Sequence, residues 1–119
     1  MKLLIVDDSM IVRRAIERTL AGSRFTETRM AVNGRQALEE FERFKPDVVT
    51  MDITMPEMDG LAAVEQMVER RPEVVILVVS ALADKGTAVE SVKRGAAGFL
   101  LKPVTVQAIQ DAIDEVLSY

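Results

Sequence analysis

Residues 48–60 of the chain read VVTMDITMPEMDG, and this stretch decides the fold. Its first four residues are apolar or β-branched and do not alternate with charged residues. An uninterrupted run of this kind is typical of a central strand in a parallel sheet whose two faces are covered by helices. Asp52 follows directly, and a proline and a glycine come soon after it. We therefore predict a buried strand that ends in a carboxylate and leads into a loop.

Four other segments have the composition of strands. Residues 3–6 and 74–79 are short apolar runs, and residues 99–101 form a further candidate. Residues 26–32 are more polar and alternate, which indicates an edge strand. Apolar residues at helical spacing separate the five segments, and we expect these residues in the core. They are Val12, Ile16 and Leu20; Ala37, Leu38, Phe41 and Phe44; Leu61, Val64 and Val68; Ala88, Val89 and Val92; and Ile109, Ile113, Val116 and Leu117.

A regular alternation of five strands and five helices predicts an α/β fold with a doubly wound parallel sheet. Right-handed crossovers restrict the topology, and five strands fit the flavodoxin-like order 2-1-3-4-5, a (βα)5 sandwich. At 119 residues the chain is long enough for one core and too short for two. We therefore expect residues 1–119 to form a single domain.

Composition excludes several classes of function. The chain has neither cysteine nor histidine, so disulfides and thiol chemistry are ruled out. Without histidine it is not a histidine kinase, a histidine phosphotransfer domain or a Ser-His-Asp hydrolase, and any phosphohistidine in its chemistry belongs to a partner. The net charge of −4 and the scattered basic residues argue against direct binding of nucleic acid.

The hydropathy pattern argues against contact with a membrane. No apolar run approaches the roughly 18 residues that a membrane helix needs. The apolar residues 3–6 are too short a stretch for a signal peptide. We expect a cytoplasmic protein.

Polar side chains follow four of the five predicted strands. Asp7 and Asp8 follow the first strand, Asp52 ends the third, Ser80 follows the fourth and Lys102 follows the fifth. Each residue alone has an ordinary explanation, such as capping a helix or lying in a solvated loop. In a parallel sheet, however, these strand ends meet at one edge, where ligands bind beside the switch in strand order. We therefore expect these five side chains to form one site.

Three carboxylates, a hydroxyl and an ammonium group restrict the chemistry of such a site. Neighbouring carboxylates raise one another's pKa unless a cation joins them. An oxygen-rich site with few protein ligands suits Mg²⁺, which can neutralise charge as a phosphoryl group is transferred. Lys102 adds a second positive charge, and Ser80 can donate a hydrogen bond to a phosphoryl oxygen. This set indicates that Asp52 becomes an acyl phosphate.

The chain resembles the receiver domain of two-component response regulators, and most of all the small chemotaxis-type receivers that stand alone. The resemblance covers essentially all of the chain. The motifs that carry it are Leu4-Ile5-Val6-Asp7-Asp8-Ser9, Met51-Asp52-Ile53-Thr54-Met55-Pro56-Glu57-Met58-Asp59-Gly60, Val79-Ser80-Ala81 and Gly98-Phe99-Leu100-Leu101-Lys102-Pro103. Together, in this order on successive strands, they are highly specific.

The resemblance implies a role for each residue of the chemical site. Asp52 is the phosphoacceptor, and Lys102 pairs with the phosphoryl group. Asp7 and Asp8 hold Mg²⁺ together with Asp52, with Asp8 the more direct ligand. The backbone carbonyl of Thr54 is a further metal ligand.

The resemblance also implies a switch between two states. Ser80 is the hydroxyl switch residue and Phe99 the aromatic one. Leu82 and Thr54 lie at positions that tune the lifetime of the phosphoryl group. Phosphorylation then biases helix four and strand five toward an active surface.

The expected partners are a sensor histidine kinase, which donates phosphate, and a target protein that binds the face of helix four, strand five and helix five. The protein is expected to be a monomer and not an enzyme. Two alternatives remain: a receiver from a longer transcription factor or receiver-coupled enzyme, and a Mg²⁺-dependent phosphohydrolase. The second would need an acid/base group beside the nucleophile and substrate-recognition loops, and this chain has no histidine and no insertion long enough for a lid.

Overall fold

The computed structural model describes residues 1–22, 24–55, 59–81 and 85–118, and within them strands and helices alternate along the whole chain. The elements are β1 Lys2–Val6, α1 Met10–Leu20, β2 Glu27–Ala31, α2 Gly34–Phe44, β3 Val48–Asp52, α3 Gly60–Arg70, β4 Val75–Ser80, α4 Lys85–Lys93, β5 Gly98–Leu101 and α5 Val106–Val116. Residues 56–58 of the central motif and Leu82 lie outside the described residues.

The five strands form one parallel sheet with the order β2-β1-β3-β4-β5, so the predicted fold and strand order are confirmed. The direction of winding changes between β1 and β3, which are hydrogen-bonded neighbours. All five residues of β3 are buried, as the uninterrupted run of residues 48–52 predicts. The carboxyl ends of β1 and β3 therefore open side by side at the switch point of the sheet.

The sheet has an apolar core on each face, because successive side chains of a strand point to opposite sides. The α2–α3 core contains Leu4, Val6, Val49, Met51, Ile76 and Val78 of the strands with Ala37, Phe41, Val64 and Met67 of the helices. The α1–α5 core contains Leu3, Ile5, Val48 and Leu77 of the strands with Ile16, Leu20, Ile109, Ile113 and Val116 of the helices. Burying one large apolar side chain contributes about 1.5–3 kcal/mol, so these two layers hold the strand ends in place.

Four of the helices have a polar N-cap side chain. Ser9, Asn33, Asp59 and Thr105 each accept a hydrogen bond from the backbone N–H three residues later, at 2.9–3.3 Å. Such a cap contributes about 1 kcal/mol, and the predicted cap at Thr105 is confirmed. Among the described residues, no helix has the length and apolar character needed to cross a membrane.

Helix α4 corrects one prediction of the core. Val89 and Val92 are 51% and 57% exposed, and within α4 the buried residue is Ser91, whose hydroxyl donates to the carbonyl of Thr87. The prediction that these valines lie in the core was wrong. Periodicity locates an apolar stripe on a helix, but it does not say whether the sheet covers that stripe.

Strand β5 lies beside β4 at an edge of the sheet, as the predicted strand order requires, although residues 99–101 have the uninterrupted apolar composition of a central strand. Phe99 and Leu100 are half-buried and Leu101 is 43% exposed. An apolar run therefore marks this edge strand as well as the central ones.

Candidate functional site

Three charged side chains from different strands meet at the carboxyl edge of the sheet. Asp7 follows β1, Asp52 ends β3 and Lys102 follows β5. Lys102 Nζ lies 3.1 Å from Asp7 Oδ2 and 3.1 Å from Asp52 Oδ2. Both carboxylates are about 1% exposed, so this ammonium group is their buried counter-charge. The structure thus brings together residues that are 45 and 50 positions apart along the chain.

Asp52 is held on both of its oxygens. Oδ1 accepts hydrogen bonds from the backbone N–H of Thr54 at 2.8 Å and from the Thr54 hydroxyl at 2.6 Å. Oδ2 accepts a hydrogen bond from Lys102 Nζ at 3.1 Å. An aspartate often bonds the backbone two residues later where a chain turns out of a strand. The sequence predicted a metal-binding carbonyl at Thr54 and an effect of this position on phosphoryl lifetime, but not the hydrogen bond from its hydroxyl to Asp52.

Asp7 is held less completely. Its Oδ1 accepts a hydrogen bond from the backbone N–H of Ser9 at 2.8 Å. Its Oδ2 is buried and, among the described residues, accepts no well-directed hydrogen bond, although Lys102 Nζ is near. The Lys102 ammonium therefore attracts Asp7 Oδ2 by its charge, but the angle between the two groups does not suit a hydrogen bond.

Burial and neighbouring charges shift the pKa values of Asp7 and Lys102. Loss of solvent raises the pKa of Asp7, and the charge of Asp52 adds to the rise, while the Ser9 N–H and Lys102 oppose it. Burial also acts to lower the pKa of Lys102, but the hydrogen bonds and charges of Asp7 and Asp52 outweigh it and raise that pKa overall. Lys102 therefore stays positively charged, whereas Asp7 resists ionisation.

The acidic residues of the site fit a divalent metal ion. Asp7, Asp8 and Asp52 each offer an oxygen, and these atoms lie within 4.8 Å of one another. Asp8 is exposed and faces solvent, whereas the other two carboxylates are buried. Three negative charges face the ammonium of Lys102, and in the described part of the chain Asp7 Oδ2 accepts no well-directed hydrogen bond. A hard cation that keeps some of its water suits such a set of oxygens.

The sequence matches the family described as response regulator receiver domain over residues 3–114. The chain belongs to this family. The chemotaxis protein CheY of Listeria monocytogenes is 39% identical over 115 residues, which cover 97% of each chain. The receiver is therefore close to single-domain CheY proteins over nearly its full length.

Two further comparisons extend this likeness. The methylesterase/glutaminase of Archaeoglobus fulgidus is 42% identical over 105 residues, which cover 87% of this chain and 30% of that protein. The crystal structure of the CheX–CheY–BeF3–Mg complex from Borrelia burgdorferi matches with a TM-score of 0.87 and 26% identity, covering 98% of this chain and 88% of that one.

The two predicted switch residues of the receiver lie on neighbouring strands. Ser80 ends β4 and is fully buried, and its backbone carbonyl accepts a hydrogen bond from the Lys102 N–H at 2.8 Å. Phe99 is half-buried in β5 and packs against the α2–α3 core. Ser80 therefore lies next to Lys102 of the charged cluster, and Phe99 packs on the α2–α3 side of the sheet.

Two residues outside the predicted set support the ends of the strands. The Arg13 guanidinium donates from Nη1 to the carbonyl of Asp7 at 2.8 Å, which ties α1 to the acidic pair. Gly60 packs so closely on Ile53 that a Cβ there would lie 2.7 Å from the Ile53 Cα. Arg13 is one of the scattered basic residues of the sequence, and its contact with a backbone carbonyl leaves no signal in residue spacing.

Proposed function

We propose that this receiver is a phospho-accepting response regulator of the chemotaxis type, to which a partner histidine kinase donates a phosphoryl group on Asp52. One observation carries the proposal. The Asp52 carboxylate ends a central strand, is almost wholly buried, and lies between an ammonium group and two further carboxylates. A buried acid with a counter-charge and with neighbouring carboxylates that can hold a cation is arranged for nucleophilic attack on phosphorus.

In the proposed reaction, a lone pair of the Asp52 carboxylate attacks the phosphorus of the donor. The new O–P bond forms as the P–N bond to the kinase histidine breaks, and the electron pair of that bond leaves with the imidazole. Lys102 stabilises the negative charge on the phosphoryl oxygens, and Ser80 donates a hydrogen bond to one of them. Asp7, Asp8, Asp52 and the Thr54 carbonyl would hold Mg²⁺, which when bound neutralises charge between carboxylate and phosphate.

The comparisons support this proposal without testing it. The Borrelia burgdorferi structure contains a CheY with BeF3 and Mg, together with CheX. The Listeria monocytogenes relative is a chemotaxis protein. A receiver of this size and similarity is therefore proposed to act as a phosphoacceptor that passes a signal on, and not as an enzyme that turns over a substrate.

We further propose that the output surface is formed by α4, β5 and α5. Val92, Leu101 and Val106, one on each element, are at least 43% exposed, and apolar side chains at a surface favour contact with a partner protein. Ser80 and Phe99 would couple this surface to phosphate. Ser80→Ala and Phe99→Leu should then still accept phosphate but lose much of the amide shift change in α4 and β5. If both variants reach the parent's full phosphorylated spectrum, another element carries the signal.

Acetyl phosphate with Mg²⁺ tests the phosphoacceptor directly. The parent should incorporate acid-stable, base-labile phosphate, and Asp52→Asn should incorporate none, because an amide is not a nucleophile toward phosphorus. Asp59→Asn is the matched control, since Asp59 is in the same motif but caps α3 at the surface, where asparagine caps equally well. Equal labelling of Asp52→Asn and the parent would refute the assignment.

A second function is favoured by the match to Archaeoglobus fulgidus, in which the similar region is part of a longer protein. In that case the same site would regulate a domain attached to the receiver. The mass of the protein isolated from its native cells distinguishes the two functions. A chain of receiver size supports the stand-alone regulator, and a longer chain supports the regulatory domain.

A further inference from the structure

The backbone of the acidic loop, residues 7–9, is held by hydrogen bonds of different origin. The Asp7 N–H donates to the carbonyl of Ala31 at 3.1 Å, and the Ser9 N–H donates to Asp7 Oδ1 at 2.8 Å. The carbonyl of Asp7 accepts a hydrogen bond from Arg13 Nη1 at 2.8 Å. The first two bonds belong to the neighbouring strand and to the turn itself, whereas the third comes from a side chain of α1. A single substitution at Arg13 can therefore remove one restraint and leave the others.

The position of Arg13 in α1 explains how its side chain reaches this carbonyl. Helical side chains point back toward the N-terminus of their helix, and Arg13 lies in the first turn of α1, after the Ser9 cap. Its half-buried side chain therefore extends past the start of the helix to Asp7. A positive charge in the first turn is opposed by the helix dipole, so the helix itself gains nothing from the charge of Arg13.

The bond to the Asp7 carbonyl also directs Asp8. The carbonyl of Asp7 and the N–H of Asp8 belong to one planar peptide group, so fixing the carbonyl fixes the direction in which the chain enters Asp8. Asp8 is exposed, so the backbone that carries its carboxylate restrains it more than neighbouring side chains do. Loss of the Arg13 bond would leave this peptide plane free to rotate and would move the Asp8 carboxylate with it.

We propose that Arg13 is a positioning residue for the metal site: its guanidinium fixes the peptide plane between Asp7 and Asp8 and holds the acidic pair in a geometry that favours Mg²⁺ over larger divalent ions. Mg²⁺ demands a nearly regular octahedron of oxygens, whereas Ca²⁺ accepts irregular arrangements at longer distances. A loop that is held rigidly therefore helps Mg²⁺ more than Ca²⁺. The inference rests on the part of the proposed function in which the acidic residues hold Mg²⁺.

The charge of Arg13 acts in the opposite direction. A guanidinium next to the acidic loop repels a dication, so if charge were all that mattered, its removal should tighten metal binding. Charge also does not distinguish the two ions, since Mg²⁺ and Ca²⁺ are both divalent. Weaker binding and a reduced preference for Mg²⁺ are therefore the two signs of positioning.

Arg13→Met removes the donor and the charge, and Arg14→Met is the matched control. Arg14 is the next residue of the same helix and is exposed, 3.9 Å from Glu17. Its substitution removes the same charge from α1 and leaves the contact between Arg13 and Asp7 in place. Amide shifts of the acidic loop, followed during titration with Mg²⁺ or with Ca²⁺, give the two dissociation constants. No phosphate donor is needed in these titrations.

The two variants should differ in both constants. Arg13→Met should raise the Kd for Mg²⁺ about tenfold, at the lower end of what the loss of a group that orients a metal ligand produces. The Kd for Ca²⁺ should rise by about threefold or less, because Ca²⁺ adapts to a displaced ligand. Arg14→Met should change both constants by less than about twofold and by equal factors, since the charge of an exposed residue is screened by salt.

The second measurement is made on the metal-free protein. The ¹³C shift of the Asp7 carbonyl reports the hydrogen bond from Arg13, so it should change in Arg13→Met and stay unchanged in Arg14→Met. The ¹⁵N order parameter of Asp8 should fall in Arg13→Met from the roughly 0.85 of a rigid backbone. Thermal unfolding shows whether each variant is folded. If Arg13→Met is not, Arg13→Gln, whose amide reaches less far than the guanidinium, takes its place.

The outcomes distinguish this inference from the proposed function. If the parent binds no Mg²⁺, the metal site of the proposed function fails and the inference falls with it. A parent that binds Mg²⁺ but takes no phosphate from acetyl phosphate would refute the phosphoacceptor and leave the role of Arg13 to the titrations.

Two results of the titrations would overturn the inference alone. If the parent binds Mg²⁺ and the folded Arg13 variant binds it as tightly or more tightly, Arg13 acts at most through its charge. If the variant loses affinity for Mg²⁺ and Ca²⁺ by the same factor, Arg13 does not favour the smaller ion. Weaker binding of Mg²⁺ with a smaller loss for Ca²⁺ is the result that supports it.

Discussion

The ends of β1 and β3 carry buried carboxylates side by side, but the two carboxylates differ in their hydrogen bonds. At the β3 end, Asp52 has hydrogen-bond donors on both oxygens. At the β1 end, Asp7 has a donor on one oxygen, while the other is buried and, among the described residues, has only the poorly directed contact with Lys102. Burial and the charge of Asp52 both disfavour the ionised form of Asp7, so the β1 end is the less well compensated part of the site.

This difference indicates that the two strand ends have different roles in the site. At the β3 end, hydrogen bonds to both oxygens hold Asp52, the proposed nucleophile, in one orientation. The β1 end is incomplete, and the repulsion that it suffers is relieved by a cation. A metal ion would therefore gain its binding energy mainly at Asp7 and Asp8, while Asp52 stays in place for the reaction.

The largest effect is expected from Lys102→Met, which removes the counter-charge shared by both ends. Two acids that are about 1% exposed would lose the ammonium group that the described part of the structure places beside them. Breaking a buried ion pair in this way costs about 3 kcal/mol of unfolding free energy. Urea unfolding at pH 7 measures the loss, and the exposed Lys93→Met is the control. Equal losses in the two variants would show that Lys102 does not hold the site together.

Asp8→Ala should abolish most of the stabilisation by Mg²⁺ and leave the metal-free stability nearly unchanged. Asp8 is exposed, so its removal relieves little strain, but it takes away the solvent-facing ligand of the acidic cluster. In the parent, Mg²⁺ at ten times its Kd adds about 1.4 kcal/mol by mass action. Melting curves with and without Mg²⁺ measure the difference. A parent that melts at the same temperature with and without the ion would contradict the metal site.

Asp7→Asn should raise the melting temperature of the metal-free protein by a few degrees at neutral pH. Burial raises the pKa of Asp7 above its unfolded value, so its contribution to stability is complete below the unfolded pKa and falls as pH rises through the raised one. Asparagine has no such proton to lose. The advantage of the variant should therefore be absent near pH 3 and grow toward pH 7.

Melting curves of the parent and Asp7→Asn in EDTA, taken across this pH range, test the sign. Asp47→Asn is a suitable control, since Asp47 is exposed and precedes β3, at the end of the strand opposite to Asp52. A variant that melts below the parent at pH 7 would show that ionised Asp7 stabilises the β1 end.

The smallest effect is expected from Thr50→Val, below the nucleophile on β3. The Thr50 hydroxyl is buried without a hydrogen-bond partner among the described residues, and valine has nearly the same shape. Replacing it should raise the unfolding free energy by about 1 kcal/mol or less. Urea unfolding measures this change. A loss of stability would show that the Thr50 hydroxyl makes a polar contact that stabilises the β3 end.

Much of the fold could be predicted because it follows from local patterns. The apolar run before Asp52 and the alternation of five strands with five helices correctly indicated the sheet and its order. Val89 and Val92 were misplaced because a helical stripe can face solvent as well as a core. The strand order placed β5 correctly at an edge, although its residues are as apolar as those of a central strand.

The sequence by itself determined which chemical groups stand at the strand ends, because parallel strands bring Asp7, Asp52 and Lys102 to one edge wherever the alternation holds. Only the tertiary structure decided how these groups are satisfied. Hydrogen bonds depend on distances and directions of a few tenths of an ångström between atoms, and residue spacing does not encode them. For this reason the bond of the Thr54 hydroxyl to Asp52 and the poorly directed contact of Lys102 with Asp7 Oδ2 are visible only in the folded chain.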